Sequence, residues 1–164
     1  MMNLSEAINR MEQYVKDPKI GLPEELFLFI SRHTPLVNVD LLVKDENGQT
    51  LLAWRDDQYA GTGWHLPGGI LRFKEKMETR LMKVAKEEIG AEVEFGPCPV
   101  ALNQMIGDND TRGHFISILF KGFVLNKKVR NHPSLSARQV GYLKWHDHCP
   151  EDLVKVHEIY RNLI

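Results

Sequence analysis

Leu4, Ile8, Met11 and Val15 recur at helical spacing until Asp17-Pro18 ends the run, and Pro23 opens a second apolar helix expected from Glu24 to about Ser31. The pattern then changes. Leu36 to Val43 is rich in strand formers, Asn47-Gly48 carries a tight-turn signal, and Thr50 to Arg55 returns as a second strand, so a hairpin is predicted. Gly68-Gly69 is expected to turn the chain ahead of a helical run that stops at Gly90. Strand-forming segments follow from Glu92 to about Gln104, from Phe115 to Leu125 and from Tyr142 to Trp145. A last helix, Glu151 to about Asn162, would place Leu153, Val156, Ile159, Tyr160 and Leu163 along one side.

Strands arranged around a central helix that carries carboxylates predict an α/β sandwich. The 164 residues, 43% of them hydrophobic, suit one domain with a real core, here residues 34–164 preceded by a helical extension over residues 1–33. A net charge of -1 offers no general attraction to nucleic acid, so none is expected as a partner. Cys98 and Cys149 lie far apart with no metal-ligand spacing around them, which suits thiols in a reducing compartment. The charged N-terminal helix lacks the apolar core of a signal peptide, and no window reaches 18 uninterrupted apolar residues. A cytoplasmic protein with no membrane partner is the expectation.

The chemistry concentrates between Gly69 and Ala91. Glu75 follows Gly69 by six residues, and Glu87-Glu88 sits inside the helical run. Adjacent carboxylates on a helix point about 100° apart, so both reach one divalent ion only where that edge faces a cavity. A Lys/Glu-rich helix is more often a solvated face. Glycines that let the backbone approach an ion or phosphate closely tilt the balance toward Mg²⁺ on a diphosphate.

These residues fall into register with the Nudix box GX5EX7REUXEEXGU, where U is aliphatic: Gly69, Glu75, Glu87, Glu88, Gly90 and Ala91 all match. Lys83 replaces the arginine of the box and Val84 the glutamate after it. The flanking residues Thr34 to Val37, Asp40, Glu46-Asn47-Gly48, Leu51-Leu52, Arg55, Trp64 and Pro67-Gly68-Gly69 resemble the GDP-mannose mannosyl hydrolase branch of that family.

The resemblance implies a Nudix-type α/β/α sandwich with a mixed sheet, Mg²⁺ or Mn²⁺ as cofactor, and a homodimer. It implies metal ligation by the Gly68 carbonyl, Glu88 and Gln139, with Glu87 added from the ordinary box. Arg55, thirteen residues before Gly68, matches a substrate-contacting arginine, and Asp40 an acidic residue of the branch. Trp64 is a further candidate substrate contact, although Trp54 and Trp64 read more simply as packing residues.

Val140 stands where the branch has its general-base histidine, and valine accepts no proton. Replacement bases are His65 beside the glycines, His114 at a strand entry, and the Asp108-Asn109-Asp110 loop. Glu75 is a candidate metal or water contact, or a brace paired with Lys83 or Arg72. His146-Asp147-His148 and Lys127-Lys128-Val129-Arg130 read as surface segments. A Mg²⁺-dependent hydrolase of a nucleoside diphosphate linked to another moiety is therefore expected, with an NDP-sugar such as GDP-mannose as substrate. The alternatives are attack at phosphorus in another nucleotide, or a catalytically weak module that binds a nucleotide-sugar.

Overall fold

The computed structural model describes residues 3–124, 129 and 135–164. Lys127, Lys128 and Arg130 lie outside the described residues, as does Leu125 at the end of a predicted strand. The two N-terminal helices form where the apolar spacing placed them: α1 spans Leu4–Glu12 and α2 spans Glu24–Ser31. Asn3 and Glu6 close a reciprocal capping box on α1.

Among the described residues eight strands follow: β1 (Leu36–Lys44), β2 (Thr50–Asp57), β3 (Gly61–His65), β4 (Gly68–Ile70), β5 (Val93–Phe95), β6 (Ala101–Ile106), β7 (His114–Val124) and β8 (Leu143–His146). The sheet is mixed, with β1 and β7 parallel along their length and the other pairs antiparallel. Alternation on β1 divides the core between its faces. Val39, Leu41 and Val43 pack against Leu81, Val84, Ala85 and Ile89 of the helix that follows β4. Leu42 packs on the other face with Leu52, Trp54, Trp64, Leu119, Leu153 and Tyr160.

Four expectations change. Gly68 and Gly69 are not a turn: neither has positive φ, and both lie in β4, which pairs with Asn38–Asp40 of β1. The segment predicted from Glu92 to Gln104 is two strands, because Gly96, Pro97 and Pro99 interrupt it. The motif helix is α3 (Met77–Val84) followed by a wider π-helical turn over Ala85–Ile89, stopped at Gly90 with φ 68°. The C-terminal helix is wound as a tighter 3-10 helix, Lys155–Leu163, with Tyr160 fully buried.

β1 pairs with β2 only at Lys44 and Thr50, where the hairpin closes, and with β4 nearer its start. The sheet therefore splits. Asp40 on β1, Arg55 on β2, His65 at the end of β3, Gly68 on β4 and Glu88 on the π-helical turn all line one cleft of about 280 Å³. Among the described residues, no helix is long and apolar enough to cross a membrane.

Candidate active site

Glu88 reaches the cleft because the widened turn re-aims it away from the buried face of α3; π-turns of this kind are frequent at functional sites. Its carboxylate accepts the Gly68 backbone amide. Burial pushes it up to about 7, opposed by that amide and by Arg55 and reinforced by Asp40 and Glu87. Glu87 is more exposed and lines a neighbouring cleft with Arg55, His65, Glu88 and Val140. The adjacent carboxylates thus diverge toward two connected hollows, with Glu88 shared by both.

Asp40 is 1% exposed. Its Oδ1 accepts Asn38 Nδ2 at 2.7 Å, and its Oδ2 accepts the Ser117 hydroxyl, which also meets the Tyr160 hydroxyl at 2.6 Å. Burial raises Asp40 to about 6 against the pull of Ser117, Asn38 and Arg55. Gly68 lies so close that a Cβ built on it would stand 2.0 Å from Asp40 Oδ1. The glycine is required by proximity, since its backbone and two carboxylates share one small volume.

Arg55 faces both hollows and donates from Nε to Asp57 Oδ2 at 2.6 Å. Asp57 also accepts the Tyr59 and Ala60 amides at 2.8 Å each, locking the β2–β3 connection. His65 is half-buried in the same walls; Nδ1 donates to the Leu66 carbonyl at 2.8 Å, which leaves Nε2 as an acceptor. Burial, Arg55 and His157 hold its pKa down to about 3, so it is neutral near pH 7. His157, unanticipated from sequence, accepts the Leu66 amide at Nδ1 (3.0 Å) and is held down to about 3 by burial and Arg55.

Several candidates do not meet there. Glu75 is a brace: Arg80 holds Oε2 at 2.7 Å, Lys83 holds Oε1 at 2.8 Å, and the Arg72 amide donates to Oε2 at 3.1 Å. Burial alone would raise it, but these donors outweigh that and bring it down to about 2. Lys83 accordingly fills the bracing place of the motif arginine. Trp64 is 6% exposed and boxed by Trp54, Tyr142 and His146, so it offers a ligand no face. His114 pairs with Gln104 at 2.9 Å outside the cleft, and Asp108 with the exposed Lys155. Gln139 is exposed, with Oε1 accepting the Ser136 amide at 2.8 Å, and does not line the cleft. Val84 lies in the core, 3% exposed.

Arg72, Arg80 and Arg112 also line the cleft. No motif marks them. Arg72 follows β4, Arg80 projects from α3, and Arg112 sits in the loop before β7 with φ 56°.

A split mixed sheet under a carboxylate-bearing helix, with acids and arginines around one small cleft, defines the class of α/β fold. The NUDIX domain family model matches residues 34–161, and the chain belongs to the Nudix hydrolase family. It is 29% identical over 108 residues to the low-salt glycan biosynthesis protein Agl8 of Haloferax volcanii, spanning 63% of this chain and 69% of that protein. Its fold is similar to a MutT NUDIX hydrolase from Burkholderia pseudomallei, with TM-score 0.64 and 18% identity over 80% of this chain and 99% of that one. The NUDIX domain of Shewanella oneidensis NrtR, solved with ADP ribose, matches at TM-score 0.51 and 17% identity over 88% and 83%.

Proposed function

We propose that this chain is a divalent-metal-dependent hydrolase of a nucleoside diphosphate joined to another moiety, with an NDP-sugar such as GDP-mannose as the substrate class. The observation that carries this is the meeting of Asp40, Glu88, the Gly68 backbone and Arg55 in one cleft. The likeness to a protein named for glycan biosynthesis supports a sugar nucleotide.

Mg²⁺ fits the donor set. Asp40 and Glu88 are hard oxygen donors whose charges disfavour one another, and the Gly68 backbone lies against both. Among the described residues no three His, Cys, Asp or Glu side chains converge as a complete cage. Mg²⁺ commonly takes few protein ligands and completes its octahedron with phosphate oxygens and water. Glu88 and the Gly68 carbonyl would hold it, with Glu87 facing the adjoining hollow; the side-chain oxygen of Gln139 would have to leave Ser136 to join them. The ion supplies charge neutralisation on the departing diphosphate and activation of water.

The chain's own residues supply the rest. Arg55 presents a guanidinium fork to phosphate oxygens while Asp57 fixes its direction. His65 Nε2 can accept a hydrogen bond from water and orient it, although the low basicity of this imidazole makes it a poor proton store. A homodimer belongs to the same proposal, and sedimentation of the purified chain tests it.

The second reading is a binding module. Val84 in the core and Val140 beside Glu87 and Glu88 remove a motif carboxylate and the branch's base, and a NUDIX domain similar in fold was solved with ADP ribose. Hydrolysis of NDP-sugars, dinucleotides and nucleoside triphosphates in ¹⁸O water decides among the readings. Label in released sugar places attack at carbon, and label in a phosphate product places it at phosphorus. Tight ligand binding with no turnover overturns the enzyme and leaves the module.

A further inference from the structure

The N-terminal segment touches two residues that line the cleft. Phe27 of α2 lies 5.6 Å from the Arg112 guanidinium, which stacks at 4.5 Å on Tyr59 from its other neighbour. Ser31 at the end of α2 accepts the Arg112 amide at 3.2 Å, and this contact accompanies a backbone conformation that side-chain-bearing residues rarely adopt. Gly21, between α1 and α2, lies against the other arginine: a Cβ there would stand 3.5 Å from the Arg72 guanidinium carbon. Residues from before the matched domain therefore adjoin both arginines, through the backbone and ring face of Arg112 and beside the guanidinium of Arg72.

The four cleft arginines differ in their partners. Arg55 is paired with Asp57 and Arg80 with Glu75. Arg72 and Arg112 make no direct ion pair with a carboxylate among the described residues, and the Nε of each is buried without an acceptor. Buried donors left unmade are costly, and guanidinium donors more so, which marks a place where an anion belongs. Burial and the nearby Arg55 pull Arg112 below its usual pKa, opposed by Asp57, Tyr59 and Glu24, none of which makes a direct ion pair with it.

Arg112 neighbours Arg55, yet the pair extends the cleft away from the second hollow. Glu88, Arg55 and His65 are shared between the two hollows, whereas Arg72 and Arg112 line only the first. A diphosphate held at Glu88 and Arg55 would send one attached moiety toward Val140 and the other toward Arg72 and Arg112.

We infer that Arg72 and Arg112, both adjoining residues of the N-terminal segment, form a second anion subsite that receives a carboxylate or phosphate borne by the substrate in addition to its diphosphate. This rests on the reading of the cleft as a nucleoside-diphosphate site and narrows it: the preferred substrate has an acidic group beyond the diphosphate.

The test is calorimetry with matched ligands in Mg²⁺. UDP-glucose and UDP-glucuronate differ by one carboxylate, and UDP and UTP differ by one phosphate. The acidic member of at least one pair is expected to bind about tenfold tighter or more, the scale of a charge-assisted hydrogen bond. Which pair shows the preference identifies the anion. Arg112→Gln and Arg72→Gln should each abolish the preference while leaving the neutral member's affinity within about twofold, less than a single hydrogen bond is worth. Phe27→Leu, which removes the ring beneath Arg112 without entering the cleft, should reduce the preference and keeps the test open if either arginine variant fails to fold. Equal affinity within both pairs, or variants that weaken both members alike, overturns the subsite and makes these arginines diphosphate contacts. Failure of every ligand to bind overturns the nucleoside-diphosphate reading instead.

Discussion

Glu75 and Glu88 belong to the same motif and are both partly buried, yet their partners drive them apart. Three donors on Glu75 keep it ionised to about pH 2, whereas burial leaves Glu88 near 7. Glu75→Gln should therefore act as the loss of a braced ion cluster, lowering stability by roughly 3 kcal/mol in urea denaturation, the low end for breaking a buried pair because Lys83 is half-exposed. A variant that keeps full stability and loses only turnover would instead make Glu75 catalytic. Because its folded pKa lies below the ordinary 4.5, its contribution is present above that value and lost as pH falls toward 2.

His157 behaves in the same direction for a different reason. Burial and then Arg55 hold it neutral in the folded chain to about pH 3, with Nδ1 accepting the Leu66 amide, while the unfolded chain protonates it near 6.5. Below 6.5 this group alone should remove about 1.4 kcal/mol of stability per pH unit. His157→Asn keeps an acceptor at the Nδ1 position and does not titrate. Denaturation at pH 7.5 and 5.5 should show a smaller acid loss for the variant than for the parent; identical losses would remove His157 from the account.

The motif spacing made Glu88, Gly68, Arg55 and Asp40 legible in sequence, because each is tied to an offset along the chain. Arg72 and Arg112 were not. Their sharing of one cleft depends on β4 and the β6–β7 loop converging on it, and an isolated arginine carries no period. Gln139 and His114 had suitable chemistry, but nearby Ser136 and Gln104 engage them.

At the scale of elements, β4 and the π-helical turn make the site. β4 is three residues long and was expected as a turn, since consecutive glycines signal one; what the glycines satisfy here is close approach on both sides. A Cβ on Gly68 would meet Asp40 and the Val39 carbonyl, while one on Gly69 would meet only the Arg80 and Val84 side chains, at 3.0 Å each. Gly68→Ala should thus displace β4 from β1 and cost metal affinity, and Gly69→Ala should be the milder change. Thermal melting and Mn²⁺ titration of the pair check this, and equal effects would contradict it. The helix's apolar period correctly marked α3, but periodicity over one turn cannot distinguish a π-helical from an α-helical exit. The same shortness hides the 3-10 winding of the C-terminal helix, whose apolar side was nonetheless legible and packs Tyr160 beneath Asp40 through Ser117.

For the whole molecule, the split between β1 and β2 places polar groups from five elements inside a body that is otherwise closed by two apolar clusters. Hydrophobic patterning foretold the sandwich, since it follows from burial; the cleft arises where that pattern is broken, at Asp40 and at the glycines. The central claim is that Glu88 and the Gly68 backbone hold a divalent ion against a nucleoside diphosphate. Mn²⁺ titration in the presence of GDP, followed by the EPR signal of the free ion, tests it directly against Glu88→Gln. The account predicts that the parent removes Mn²⁺ from solution in a GDP-dependent way and that the folded variant binds it at least about tenfold more weakly, as expected for loss of a ligating carboxylate. Equal binding by both proteins, or none by the parent, would contradict it.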